Sequence, residues 1–141
     1  MEKARPLKVT LPFTVKTYDI DFAGHVSNIV YIRWLEDLRL HFLDVHFPLE
    51  EQMAESFAPI LTRTQIDYKR ALRLFDRPIE GHMWFGDAGR IKWRLEAEFL
   101  VGGQVAATSV QHGVFINMET HRPIPIPGQL RERYNREVSS A

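Results

Sequence analysis

The chain has 141 residues, which suits one compact domain and is enough to bury an apolar core without cross-links. Apolar residues make up 45% of it and charged residues 26%, as in ordinary water-soluble domains. Because cysteine is absent, disulfides, thiol catalysis and cysteine-bound zinc are excluded. The 18 basic residues balance the 18 acidic ones, so no overall positive field is present to bind nucleic acid non-specifically.

The chain also lacks the marks of membrane insertion or export. No apolar run is long enough to span a bilayer, and the first residues, MEKARPLKVT, lack the apolar stretch of a signal peptide. No internal repeat or low-complexity segment divides the sequence. These features predict a soluble cytoplasmic protein with one domain, residues 1–141, and no membrane or nucleic-acid partner.

The first part of the chain predicts one strand followed by one long helix. Apolar and polar residues alternate over residues 9–16, which is typical of a strand with one wet face. The polar segment DIDFAGHVSN follows as a loop, and Ser27 or Asn28 is expected to cap a helix. From about residue 29 to residue 45, apolar residues recur over most of the circumference, so the helix should be enclosed by other elements.

The remaining sequence predicts a sheet. Strands are expected near residues 61–69, 78–86, 91–99 and 105–118. Turns are expected at GDAG and at VGGQ, and GQLRERYNREV predicts a short terminal helix. The element order therefore predicts an α+β domain in which a five-stranded antiparallel sheet wraps one long central helix.

One segment, YDIDFAGHVSNIVYIRWLEDLR, carries a specific set of residues at fixed spacings. They are Asp21, Gly24, Val26, Asn28, Tyr31, Glu36 and Arg39. This pattern resembles the signature of the hotdog-fold 4-hydroxybenzoyl-CoA thioesterase family, and the resemblance covers roughly residues 9–134. Two positions depart from it, since Ser27 stands where a second Asn is common and Asn117 where an Asp is usual. The resemblance implies a hotdog fold and an acyl-CoA thioesterase, a hydrolase that releases a free acid and coenzyme A.

Thioester hydrolysis needs an attacking oxygen on one side of the carbonyl and a donor for the developing oxyanion on the other. Asp21 can supply the first, either as a nucleophile or as a base that activates water. By resemblance the N–H of Asn28 is the oxyanion donor, at a helix start where unpaired donors and the positive dipole end converge. Gly24 allows a tight turn between the two. His25 is expected to orient the substrate or tune Asp21, or else to bond to the loop backbone.

Further residues are expected around the substrate. Tyr31 is expected in the core and can also line the acyl pocket. Glu36 is expected to support the site, the alternative being an ion pair with Arg39 within the helix. The phosphates of coenzyme A require local positive charge, and a solvated loop face is the alternative for the cations nearby. The expected phosphate contacts are Lys69, Arg70 and Arg90.

No cofactor is predicted, because coenzyme A is part of the substrate, and the histidines show no metal-ligand spacing. The resemblance implies a homodimer or homotetramer whose subunits join their sheets and share each active site. The alternative function is a hotdog protein that binds acyl-CoA without hydrolysing it, since a fold alone does not fix an activity. Asp21 favours the enzyme, because binding requires no attacking carboxylate. The sequence does not specify whether the acyl group is aromatic or aliphatic.

Overall fold

The first strand and the long helix form where the sequence predicts them, in a computed structural model that describes residues 4–140. Strand β1 spans Val9–Phe13 and is followed by a single 3-10 turn at Thr17–Asp19. Helix α1 spans Asn28–His46, and Ser27 stands at its N-cap with an extended backbone. The loop that carries the predicted catalytic carboxylate therefore leads directly into α1.

Within residues 4–140 the rest of the chain forms two further helices and five further strands. These are α2 Leu49–Ala54, β2 Phe57–Tyr68, β3 Ile79–Ala88, β4 Trp93–Val101, β5 Gln104–Asn117, β6 Pro123–Ile124 and α3 Gly128–Ser140. The predicted turn at GDAG is wrong, because β3 continues to Ala88, which pairs with Trp93. Gly86 lies at a register shift between Phe85 and Asp87, so this glycine marks a bulge rather than a turn.

The strands form one antiparallel sheet in the order β1-β3-β4-β5-β2, with the two-residue β6 beside β5. Within the described residues the sheet thus has the five predicted strands and a short sixth one. α1 packs against β1 and β3, and its side chains Leu35, Leu38 and Phe42 are at most 2% exposed. The predicted α+β class, with one long helix against an antiparallel sheet, is confirmed.

One side of α1 stays uncovered in the single chain. Ile29, Ile32 and Leu40, which share this side at 3.6 residues per turn, are between 42% and 56% exposed. The edge strand β2 is also exposed over most of its length. A sheet covers only one side of a helix, so the apolar residues on the other side require a second partner. The sequence predicts that other elements enclose the helix, and in the single chain they cover only one side of it.

Within residues 4–140, the helices are too short or too polar to cross a membrane. The predicted single domain of residues 1–141 includes residues 1–3 and 141, which lie outside the described residues, and its extent stays a prediction.

Candidate active site

The loop between the 3-10 turn and α1 holds the carboxylate of Asp21 in a fixed position. Its Oδ1 accepts the backbone N–H of Ala23 at 2.9 Å and that of His25 at 3.2 Å. The Asp21 N–H donates to the His25 carbonyl at 2.8 Å, and the Gly24 N–H donates to the Asp21 carbonyl at 3.0 Å. Gly24 has a φ of +79°, so this position requires the conformational freedom of glycine, as the sequence predicts. Within residues 4–140 no hydrogen bond engages Oδ2, so one carboxylate oxygen is available for chemistry.

Asp19, two residues earlier, has a different environment. Its side chain is only 6% exposed, and its Oδ2 accepts the backbone N–H of Lys16 at 2.8 Å. Its carbonyl accepts the N–H of Ser27 at 2.8 Å. Asp19 therefore shapes the turn that positions the loop, while the carboxylate of Asp21 stays partly exposed.

The start of α1 offers unpaired backbone donors. The N-cap residue, Ser27, forms no side-chain capping bond, and the first turn contains no acidic residue. The Val30 N–H bonds to the Ser27 carbonyl at 2.9 Å, whereas among the described residues the N–H groups of Asn28 and Ile29 have no acceptor. These donors and the positive end of the helix dipole can together stabilise a negative oxygen.

A cavity of about 210 Å³ brings most of the predicted site residues together. It is bordered by the Asp21 loop, the first turn of α1 and the chain that follows β2. Its lining residues are Asp21, His25, Val26, Asn28, Tyr31, Tyr68, Lys69, Arg70 and Ala71. The structure therefore places all three predicted catalytic residues, and three of the predicted substrate contacts, around one space.

Two tyrosines form the apolar wall of this cavity. The rings of Tyr31 and Tyr68 meet edge to face, with centroids 5.2 Å apart. Burial raises the pKa of Tyr31 to about 12, and the nearby Tyr68 and Asp76 add to the rise. Burial also raises the pKa of Tyr68. Both phenols are thus neutral hydrogen-bond donors at neutral pH.

The cations of the cavity lie where the chain leaves β2. The backbone N–H groups of Lys69 and Arg70 both donate to the Ala106 carbonyl, at 2.8 and 3.0 Å, which fixes this stretch to β5. The Arg70 guanidinium also donates to the side chain of Gln104. Positive charge thus stands at the rim of the cavity, opposite the Asp21 loop.

Three predicted site residues, Gly24, Glu36 and Arg90, are not among the lining residues of the cavity in the single chain. Glu36 is on α1, with its side chain 62% exposed and 3.9 Å from the Arg39 guanidinium, which is the intrahelical pair weighed as its alternative. Arg90 lies in the β3–β4 turn, beside Trp93, which pairs with Gly113 of β5. The backbone of Lys69 is hydrogen-bonded to Ala106 of the same strand. The stretch of β5 from Ala106 to Gly113 is roughly 23 Å long at about 3.3 Å per residue, so the two cations lie about that far apart.

Tyr68 is a lining residue that the sequence reasoning missed. It is the last residue of β2, and its partner in β5 is Ala107. Its signal in the sequence is the string DYKR, in which the aromatic residue directly precedes the predicted phosphate contacts. Among residues 4–140, no group of three or more His, Cys, Asp or Glu side chains is placed to hold a metal ion.

Comparison with known proteins assigns the class that this fold and site define. A family model described as the Thioesterase-like superfamily matches residues 15–134. The chain therefore belongs to the Thioesterase-like superfamily, and the predicted enzyme class, a thioester hydrolase, is confirmed. The narrower 4-hydroxybenzoyl-CoA thioesterase family stays a prediction.

Individual relatives agree with this assignment. The long-chain acyl-CoA thioesterase FadM of Escherichia coli (strain K12) is 26% identical over 127 residues, 88% of this chain and 95% of that protein. A thioesterase from Thermus thermophilus, solved with coenzyme A and zinc, is 25% identical, with a TM-score of 0.78 over 95% of this chain and 96% of that one. The DHNA-CoA thioesterase of Staphylococcus aureus has a TM-score of 0.83 at 17% identity, over 94% of this chain and 91% of that one. This last likeness concerns the fold alone, and it supports the hotdog architecture.

Proposed function

We propose that the protein is an acyl-CoA thioesterase, which hydrolyses an acyl-CoA to a free acid and coenzyme A. The observation that carries the proposal is that the Asp21 carboxylate and the unpaired N–H groups at the start of α1 border the same cavity. An attacking oxygen and an oxyanion donor are the two groups that thioester hydrolysis requires. The relative FadM, named a long-chain acyl-CoA thioesterase, supports the same substrate class.

Asp21 acts in one of two ways. As a general base, it takes a proton from a water molecule that attacks the carbonyl carbon of the thioester. As a nucleophile, it attacks that carbon itself, and water then cleaves the resulting anhydride. In both routes the carbonyl oxygen gains negative charge, which the Asn28 N–H at the start of α1 stabilises. When this oxyanion collapses, the C–S bond breaks and the thiolate of coenzyme A leaves. It takes up a proton from Asp21 in the general-base route and from water in the nucleophilic route, where this step forms the anhydride before water cleaves it.

Further residues in and beside the cavity position the substrate in this proposal. His25 orients the substrate or tunes Asp21, and Gly24 allows the loop to approach the thioester closely. Tyr31 contributes the apolar wall that meets the acyl group. Lys69 and Arg70 stand at the cavity rim, where the phosphates of coenzyme A would find opposite charge.

We also propose that the enzyme works as a homodimer, on its own or doubled to a homotetramer. The unpaired edge of β2 and the uncovered side of α1 are the surfaces that a second copy would cover. If two β2 strands pair antiparallel, the Tyr68 end of one lies beside the opposite end of β2 in the partner subunit. That opposite end adjoins an apolar cavity between α1 and the sheet, lined by Arg39, Pro59, Trp93 and Leu95 among others. The pairing would thus supply Asp21 with an apolar wall from the partner, to which Glu36 and Arg90 can add contacts.

Several expectations remain predictions. They are the absence of a cofactor other than the substrate, the absence of a nucleic-acid or membrane partner, and the cytoplasmic location. The rival function is an acyl-CoA-binding hotdog protein without hydrolysis. A thiol-release assay with aromatic, medium-chain and long-chain acyl-CoAs separates the two. Enzyme-dependent release of free thiol is expected, whereas tight binding of every acyl-CoA without release would identify the rival.

A further inference from the structure

The ring of Phe75 lies in water four residues beyond Ala71, the last residue of this segment that lines the cavity, although the chain around Phe75 is well packed. Phe75 is 80% exposed, whereas Leu72, three residues earlier, is 0% exposed. Leu74 packs against the core. A ring left in water forgoes the stabilisation that burial gives, and its face is free to contact a ligand.

Phe75 belongs to a segment rich in positive charge, residues 69–77, which we name the cationic segment. Its four basic residues are all exposed: Lys69, Arg70, Arg73 and Arg77. The single acid, Asp76, is partly buried, and its Oδ2 accepts the backbone N–H of Arg73 at 2.8 Å. The segment therefore carries four positive charges against one negative charge, and that carboxylate is engaged by the loop itself.

The cationic segment is held in place by backbone hydrogen bonds. Its first two N–H groups donate to the Ala106 carbonyl of β5, and the Leu72 carbonyl accepts the Val26 N–H at 2.8 Å. The Asp76 N–H donates to the Arg73 carbonyl at 3.1 Å, which closes a turn around Phe75. The exposed ring is thus part of a fixed turn, and the segment that carries it begins at the cavity wall.

A ligand that runs from the cavity along this segment meets cations and then an aromatic face. Guanidinium and ammonium groups bind phosphate, and an exposed ring stacks on a nucleobase. Coenzyme A has these two parts in that order beyond its pantetheine arm. The phosphate contacts at Lys69 and Arg70 already belong to the proposed function; beyond them, we infer that Phe75 stacks on the adenine of the CoA ester. The inference rests on the proposed function, because it takes an acyl-CoA as the substrate.

The kinetic test compares two thioesters of the same acyl group, one on coenzyme A and one on pantetheine alone. Phe75→Ala is expected to raise KM for the acyl-CoA by about 5- to 100-fold, the loss that removal of one stacked base typically brings. kcat should stay unchanged, and so should both constants for the acyl-pantetheine, which has no adenine. Phe75→Trp should restore KM. Tyr18→Ala is the matched control, since Tyr18 is 79% exposed but lies outside the cationic segment.

A binding measurement that does not depend on hydrolysis completes the test. Calorimetry with desulfo-coenzyme A should show Phe75→Ala weakened by the same factor and Tyr18→Ala unchanged. If Phe75→Ala binds it like wild type, or loses activity on acyl-pantetheine as well, the inference is wrong and the proposed function stands. If Phe75→Ala weakens binding but no acyl-CoA is hydrolysed, the stacking on Phe75 stands and the proposed function is wrong. If wild type does not bind desulfo-coenzyme A, the inference is overturned.

Discussion

The backbone N–H of Val26 donates to the carbonyl of Leu72 across 2.8 Å, and this bond joins the two loops that border the cavity. Val26 ends the loop that carries Asp21, and Leu72 anchors the cationic segment in the core, where its side chain is 0% exposed. The carboxylate and the cations on the opposite rim are therefore positioned by one connected piece of backbone. Packing beneath Leu72 should affect both.

Leu72→Ala is expected to reduce the free energy of unfolding by about 2–5 kcal/mol, because the smaller side chain leaves a cavity in the core. Urea unfolding measures this. Phe75→Ala, three residues away on the same segment, is the control and should change the free energy by less than about 0.5 kcal/mol, since the ring is exposed. Similar values for the two variants would show that Leu72 does not anchor the segment.

Tyr31 should lose its proton later than an ordinary tyrosine. Its pKa is raised from 10.0 to about 12 by burial and by its neighbours. Because the unfolded chain ionises first, the stability linked to this phenol is fully present below pH 10.0 and is lost as the pH rises toward about 12. Spectrophotometric titration should show a tyrosinate step near the upper value that Tyr31→Phe removes. Persistence of that step in the variant would assign it to another tyrosine.

Glu98 should make stability fall in acid. Its Oε1 lies 2.6 Å from the Arg5 guanidinium and 3.2 Å from Nδ1 of His82. Burial by itself raises the pKa of Glu98, but Arg5 and His82 outweigh it and hold the pKa below the ordinary 4.5. The contribution is therefore present above pH 4.5 and is lost as the pH falls through the lowered pKa. The free energy of unfolding should decline less in Glu98→Gln than in wild type over this range.

The matched control for that variant is Glu132→Gln, which neutralises an exposed carboxylate on α3. It should retain the wild-type decline in urea unfolding measured from pH 4.5 downward. An unchanged decline in Glu98→Gln as well would mean that other carboxylates dominate the acid response.

The proposed dimer predicts that a charge on the β2 edge separates the subunits. Leu61→Glu should shift sedimentation at micromolar concentration toward the 16.5 kDa monomer, because the new carboxylate would be buried between two sheets. Val138→Glu is the control, since Val138 on α3 is 43% exposed, close to the 38% of Leu61. A wild-type protein that sediments as a monomer would contradict the dimer.

The parts of the fold that depend on local signals could be predicted from the sequence. The apolar periodicity after the polar loop placed the start of α1 correctly, because it is set within one or two turns of the chain. Ser27, one of the two predicted caps, stands at the N-cap position but forms no side-chain capping bond. Gly86 was misassigned to a turn, because a glycine in a bulge and a glycine in a turn look alike without the register of the neighbouring strand.

Site residues that are close in the sequence could be predicted, whereas those whose positions depend on the pairing of strands could not. Asp21 and Asn28 lie on one continuous loop-to-helix segment, so their spacing alone brings them together. Tyr68 and Arg90 lie on or beside strands, and their positions depend on which residues of β4 and β5 they face. Register across a sheet is a long-range property, and it places Tyr68 in the cavity and Arg90 at the other end of the sheet.

The most direct measurement is the thiol-release rate of Asp21→Asn beside that of Asp19→Asn. The first substitution keeps the shape of the side chain but removes the charge, so kcat should fall by about 10²–10⁴-fold while binding of desulfo-coenzyme A persists. Asp19→Asn should retain most activity, because an amide oxygen can still accept the Lys16 N–H that shapes the turn. Circular dichroism confirms that both variants are folded. Near wild-type turnover in Asp21→Asn, together with loss of turnover in Asp19→Asn, would contradict the assignment of Asp21 as the catalytic carboxylate.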